Sequence, residues 1–192
     1  MNKVSKRIIL VISVISIYTV LHTKGKNMLT LASSSFKDGS EIPSKYTCKG
    51  ENISPQLYWQ PHPDKKIKSY ALIVDDPDAQ PVVGKTFVHW IVLLSNEATE
   101  LAEGASSSAR SHVPGIELPN DFGTTHYGGP CPPKGTGVHT YRFTLFALSQ
   151  STYELQQDPN FPTAPFTAEQ FKDSLKQHII DEARMSGMYE IK

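Results

Sequence analysis

The segment that most constrains this chain is residues 86–94. Both of its alternating sets are mostly apolar, with Phe87, Ile91 and Leu93 on one and Val88, Trp90, Val92 and Leu94 on the other. Such a strand is buried on both sides and sits centrally in a sheet. Residues 29–32, 57–60, 69–75 and 140–148 also read as strands, separated by Pro and Gly punctuation. In the last of these, Tyr141, Phe143, Leu145 and Ala147 form one face and the other begins Thr140, Arg142, Thr144, a half-buried pattern. One helix is predicted. Thr167 and Gln170 have the spacing of a capping box, and Phe171, Leu175 and Ile179 recur every four residues. That stripe carries the predicted helix to about Ala183; Gly187 ends it, and 188–191 adds a short final strand. Strands first and one late helix predict a mainly β sandwich with a peripheral helix, a single domain over residues 28–192.

The charge is unevenly spread. The whole chain balances 19 Lys and Arg against 19 Asp and Glu, yet residues 1–27 carry five basic groups (Lys3, Lys6, Arg7, Lys24, Lys26) and no acidic one. The remainder therefore holds 14 basic and 19 acidic groups, a net of −5. This excludes the basic stripe of a nucleic-acid binder and argues against an anionic membrane surface as partner. A basic start followed by 14 uncharged residues, 8–21, is the layout of a signal peptide or of an N-terminal hydrophobic anchor. Fourteen residues fall short of the roughly 20 of a spanning helix. The protein is expected to be exported, periplasmic or secreted, or else tethered to a membrane by the uncleaved segment.

Cys48 and Cys131 fit either redox compartment. In an exported protein they can form a disulfide, and enclosing about 80 residues would stabilise the fold by on the order of 4 kcal/mol in the chain-entropy picture. The alternative is two small buried thiols. No CxxC occurs, so zinc and thioredoxin-like readings lack support.

Three polar features stand out from the apolar strands. Asp75-Asp76-Pro77-Asp78 ends one strand, His89 interrupts another, and His139 follows the segment Gly128-Gly129-Pro130-Cys131-Pro132-Pro133-Lys134-Gly135. If 69–76 and 86–94 form an antiparallel pair, Asp76 comes close to His89. A carboxylate fixes the tautomer of a neighbouring imidazole and favours its charged form. The glycines of 127–137 let backbone N–H groups approach a ligand, so the three features together predict an anion pocket at one end of the sheet. Taken singly each has a plainer reading: a turn, a core histidine, a strand start.

The pieces Val74-Asp75-Asp76-Pro77-Asp78-Ala79, Phe87-Val88-His89-Trp90, Tyr127-Gly128-Gly129-Pro130-Cys131-Pro132-Pro133-Lys134-Gly135 and His139-Thr140-Tyr141 resemble, in order and spacing, the phosphatidylethanolamine-binding protein family. The chain is most similar to its bacterial YbhB/YbcL branch, also called Raf kinase inhibitor-like. Tyr46-Thr47-Cys48, Asn52-Ile53-Ser54-Pro55 and Leu57-Tyr58-Trp59 fit that branch too. The resemblance implies a β-sandwich whose pocket accepts phosphate-like anions, phospholipid head groups or phosphorylated side chains. By motif position the pocket residues are Asp76, Asp78, His89, Tyr127, Gly129, Pro130, His139 and Tyr141. Asp78 and Tyr141 come from the resemblance alone. The chain departs from the family where Gln80 follows Asp-Pro-Asp-Ala, where Thr140 replaces the Arg of the eukaryotic His-Arg-Tyr, and where no long helix follows Gly187.

The expected function is that of a non-enzymatic anion- or phosphate-group-binding protein, a binding or inhibitory module that acts on a small ligand or a protein partner. No cofactor is implied. A homodimer remains open. The alternative is a hydrolase using an Asp-His pair, against which stands the lack of a Gly-x-Ser-x-Gly motif or an evidently activated Cys131. A metal site from Asp76, Asp78, His89 and His139 has adequate donors, but the resemblance points to anions instead.

Overall fold

A computed structural model describes residues 28–192. The expected export segment, 1–27, lies outside them. Six strands form the main sheet: β1 (Ser40–Glu41), β2 (Ser69–Asp76), β3 (Phe87–Ser95), β4 (Gly115–Leu118), β5 (His139–Leu148) and β6 (Ile179–Tyr189). Their order is β1-β6-β5-β2-β3-β4, antiparallel except for the parallel β1–β6 pair. The central strand is β2, all eight of whose residues are buried.

Alternation along these strands divides the core in two. Tyr70, Leu72, Val74, Trp90, Val92, Tyr141, Phe143 and Leu145 pack under a second layer supplied by Phe36, Ile42, Tyr46, Leu57, Trp59, Leu101 and Tyr127. That layer contains two small antiparallel pairs, Leu57–Tyr58 with Glu100–Leu101 and Ser106–Ser107 with Arg110–Ser111. On the opposite face, Ala71, Ile73, Ile91, Leu93, Phe146 and Leu148 pack against Leu155 of α2 (Thr152–Gln157) and Ala168, Phe171 and Leu175 of α3 (Ala168–Leu175). The fold is the mainly β, single-domain architecture with peripheral helix that the strand patterns predict. Among the described residues no helix is long and apolar enough to cross a membrane.

The predicted capping box is present: Gln170 N–H donates to the Thr167 hydroxyl at 3.2 Å and Thr167 N–H to the Gln170 side chain at 2.8 Å. The predicted extent is corrected. The helix stops at Leu175, a 3-10 turn covers Lys176–His178, and Ile179–Tyr189 is the long strand β6. Residues four apart share a face in a strand as well as in a helix, so Leu175, Ile179 and Ala183 fit both periods. Ala183, Met185 and Tyr189 are buried in the core beside Gly187, a period of two that belongs to a strand against β5.

Residues 29–32 keep only one bridge, Ala32 to Tyr58. The serines that follow bond to the turn at Gln56 instead of extending a ladder: Ser34 N–H donates to Gln56 Oε1 at 2.9 Å and Gln56 N–H to Ser35 Oγ at 3.0 Å. The outer face of β5 is also more buried than its half-polar pattern predicts: Thr144, opposite Ile73, is buried, and Arg142 turns back to Asp75.

Residues 119–137, rich in Pro and Gly, are ordered in their first part around Asn120. Its Nδ2 donates to the carbonyls of His126 (2.7 Å) and His89 (3.3 Å), and its Oδ1 accepts from Phe122 N–H (3.0 Å) and Thr124 N–H (3.1 Å). Cys48 and Cys131 form a disulfide with Cα atoms 5.4 Å apart, which ties this loop to the turn after Tyr46.

Candidate functional site

The site begins with a fault in the ladder between β2 and β3. Asp75 pairs with Val88 but Val74 pairs with Trp90, so His89 is an extra residue opposite a single step of β2. Such a bulge re-aims side chains. Strict alternation would put Phe87 and His89 with Ile91 and Leu93 under α3. Instead Val88 joins that core, while His89 turns to the other face, that of Asp76, Tyr141 and His139.

These four residues line a cavity of about 140 Å³ at the end of the sheet. Asp76 is 2 % exposed, His139 2 %, His89 4 % and Tyr141 1 %. Asp76 caps the turn Pro77–Ala79, its Oδ1 accepting from Asp78 N–H (2.9 Å) and Ala79 N–H (3.2 Å). Its Oδ2 accepts from His139 Nδ1–H at 2.7 Å. The turn reading and the site reading of Asp-Pro-Asp are thus both present in one carboxylate. His139 Nε2 lies 3.0 Å from the Thr136 hydroxyl, which is itself 2.8 Å from the Pro133 carbonyl.

The partner of Asp76 is therefore His139, where the sequence pointed to His89. His89 Nδ1–H donates to the Gly128 carbonyl at 2.7 Å. A carbonyl only accepts, so the proton of the neutral ring sits on Nδ1 and Nε2 is left without a protein partner. Burial pushes His89 below its ordinary pKa, against the opposing pull of the Gly128 carbonyl and of Asp76. Tyr141 stands edge-on to His89 at 5.1 Å, and its buried hydroxyl lies close enough to the Asp76 carboxylate to feel it but makes no hydrogen bond of good geometry with any described residue. Burial first, and then the nearby Asp76 carboxylate, hold that phenol well above its ordinary range, so it is a hydrogen-bond donor.

Of the other predicted site residues, Asp78, Tyr127, Gly129 and Pro130 lie off the cavity wall and hold it in place. The Asp78 side chain accepts from Thr140 N–H at 2.7 Å, fixing the turn to the start of β5. Tyr127 is fully buried, with its hydroxyl donating to the Tyr46 carbonyl at 2.9 Å. Gly129 N–H donates to Asn52 Oδ1 (2.8 Å), and a Cβ on Gly129 would stand 2.1 Å from the Tyr46 carbonyl oxygen, so no larger residue fits. The Pro130 carbonyl accepts from Cys48 N–H at 3.1 Å. The expected nest of glycine N–H donors is spent on the protein itself, since Gly128 N–H also donates to the His89 carbonyl at 3.2 Å.

The rim of the cavity was not foreseen. Val82 and Val83 of α1 (Gln80–Val83), Phe87, Phe122, Pro132 and Pro133 surround the polar floor with apolar surface. Phe122 stands edge-on to His89 at 5.3 Å and is 45 % exposed. Phe87, two residues before His89, could have been placed from strand alternation; Phe122 and Thr136 leave no mark in the sequence. Cys131 reaches the cavity as well, but its sulfur is held in the disulfide and offers no thiolate. Among the described residues, no three His, Cys, Asp or Glu side chains are grouped as a metal would need.

Residues 32–190 match the family model described as phosphatidylethanolamine-binding protein. A UPF0098 protein of Mycobacterium tuberculosis is 42% identical over 166 residues, covering 85% of this chain and 71% of its own. A second relative from that organism, named as a candidate lipoprotein, LppC, is 41% identical over 164 residues, covering 84% and 72%. The crystal structure of Escherichia coli YbcL superposes with a TM-score of 0.72 at 29% identity, covering 85% of this chain and 99% of YbcL.

Proposed function

This chain belongs to the phosphatidylethanolamine-binding protein family, and from that premise we propose that it is a non-enzymatic module whose cavity binds a small anion or the phosphate-like group of a larger ligand. The Tyr141 hydroxyl carries this reading: it is buried and un-ionised, its nearest polar neighbour is the Asp76 carboxylate with which it makes no hydrogen bond of good geometry, and it stands beside His89, whose bond to the Gly128 carbonyl uses Nδ1 and leaves Nε2 for a ligand. Leaving such a donor unpaired costs about 1–3 kcal/mol, which a ligand oxygen recovers. Asp76 already accepts from two N–H groups and His139, and so orients the floor. The apolar rim suits a ligand whose charged group is attached to carbon.

The hydrolase alternative lacks a hydroxyl, amine or thiolate nucleophile of the usual kind. Among the described residues the cavity is lined by no Ser, Thr or Lys, and the sulfur of Cys131 is oxidised. A binding or inhibitory role toward a protein partner needs no turnover. We assign the protein to an exported, oxidising location, because a disulfide persists there and not in a reducing cytosol; the lipoprotein name of LppC agrees. The test is an NMR titration with phosphate or phosphoethanolamine. Ring signals of His89 and His139 shift at millimolar ligand; if neither moves, the cavity is not the site.

A further inference from the structure

The charges around the cavity say which anions it can hold. Among the described residues, no Lys or Arg lines it. The cations nearest the floor are committed elsewhere: Arg142 and Lys172 bind Asp75 on the far face of the sheet, and Lys85 binds Asp121. Lys134, next to the rim residue Pro133, is exposed. The ionisable side chains facing His89 are Asp76 from β2 and His139 and Tyr141 from β5; the loop contributes Phe122 and the Gly128 carbonyl, and Asp75 and Asp121 act from farther off.

The Asp76–His139 pair adds no positive charge. The Thr136 hydroxyl has one hydrogen to share between the Pro133 carbonyl and His139 Nε2. Given to the carbonyl, it makes His139 donate from both nitrogens, and the pair is neutral. Given to the ring, it leaves His139 neutral and the pair at −1. A neutral His89 adds nothing and presents a bare Nε2 lone pair, which repels an anionic oxygen. Binding an oxyanion in this place therefore requires a proton on Nε2. That one proton balances one charge; a second negative charge on the ligand finds no counter-charge, only Asp76.

Resting on the anion-binding reading above, we propose that the cavity selects singly charged oxyanions over dianions, and that each ligand enters with one proton taken up at Nε2 of His89. The ligand class is then a phosphodiester, a carboxylate or a singly protonated phosphomonoester. Tyr141 donates to one ligand oxygen and protonated His89 to another. Burial depresses the His89 pKa in the empty site and a bound anion raises it, so uptake is largest between those two values.

Dimethyl phosphate, a fixed monoanion, and methyl phosphate, which loses its second proton near pH 6, separate the cases. Isothermal titration of both from pH 5 to 8, in two buffers of different ionisation enthalpy, reads affinity and proton uptake together. Dimethyl phosphate weakens about tenfold per pH unit between the His89 pKa of the free protein and that of the liganded one, with one proton taken up per ligand. Methyl phosphate weakens about a hundredfold per unit once its second ionisation also opposes binding. His89→Gln, checked by its melting temperature to be folded, keeps an amide donor, and its affinity for dimethyl phosphate loses the pH slope. Methyl phosphate that binds as well at pH 8 as at pH 5.5, or heats that do not depend on buffer, overturn the proton-coupled selection while leaving the cavity as an anion site. Failure of every anion at every pH overturns the anion site and the selection with it.

Discussion

Asp75 and Asp76 are consecutive, both buried, and lie on opposite faces of β2. Asp75 faces the helices, where Arg142 Nε and Nη2 donate to it at 2.8 and 3.1 Å and Lys172 of α3 completes the cluster. Its two cations are partly exposed and belong to different elements, so Asp75 clamps β5 and α3 to the central strand. Asp76 faces the second layer, where its partners are two N–H groups of its own turn and one histidine. One carboxylate is held by cations; the other is held by neutral or titratable donors and forms part of the cavity floor. Two identical side chains thus serve stability on one face and, in the proposed reading, recognition on the other, and what differs is the charge that faces them.

That contrast can be broken from either side. The largest effect is expected at the disulfide behind the Asp76 face. Cys48→Ser with Cys131→Ser should lower unfolding free energy by on the order of 4 kcal/mol, read from urea midpoints. A change under 1 kcal/mol would mean the glycine loop is held by its hydrogen bonds alone. Next, Asp75→Ala should cost about 3 kcal/mol by stranding Arg142 and Lys172, with anion affinity unchanged. Asp76→Asn should do the reverse, costing about 1 kcal/mol because the amide oxygen still caps the turn, while the ring signals of His139 move and affinity drops. If both variants lose binding and stability alike, the two faces are not separable. Gly129→Ala should cost about 2 kcal/mol through the clash with the Tyr46 carbonyl, seen in thermal melting.

The smallest stability effects are the sharpest tests of the Asp76 face. Tyr141→Phe removes an unpaired buried hydroxyl, so stability should stay within about 1 kcal/mol while affinity for phosphate falls by about tenfold. Because burial holds folded His89 below its ordinary 6.5, the unfolded chain binds a proton that the folded chain does not. This contribution makes stability fall as pH drops from about 6.5 through the lowered folded value, and level off below it. Denaturation of the wild type and of His89→Gln over pH 4 to 8 should differ by that trend. Equal slopes would show His89 to be more open to solvent than its surroundings imply.

Much of the architecture was legible because burial writes itself into apolar periodicity. The two-faced strand at 86–94 is paired on both edges, although it lies one strand in from the edge at β4 and the centre of the sheet is β2, and Thr167 with Gln170 starts a helix. The same signal failed at 176–189, where a spacing of four suits helix and strand alike and only packing of Met185 and Tyr189 against β5 decides. In the site, Asp76, His89 and His139 stood out as polar residues in apolar surroundings, whereas Phe122 and Thr136, brought in by the loop, had no pattern to betray them.

Sequence by itself determined which segments are buried strands and that an aspartate and two histidines lie within or at the ends of them, since burial shows in apolar periodicity. The tertiary structure decided how those groups pair. One extra residue in β3 turns His89 from the helix face to the cavity, the loop carbonyl of Gly128 then fixes its proton, and Asp76 is left to His139. A bulge depends on the register of two strands against each other, and a hydrogen-bond partner on which atoms arrive within about 3 Å. Neither is a property of the chain read in one dimension.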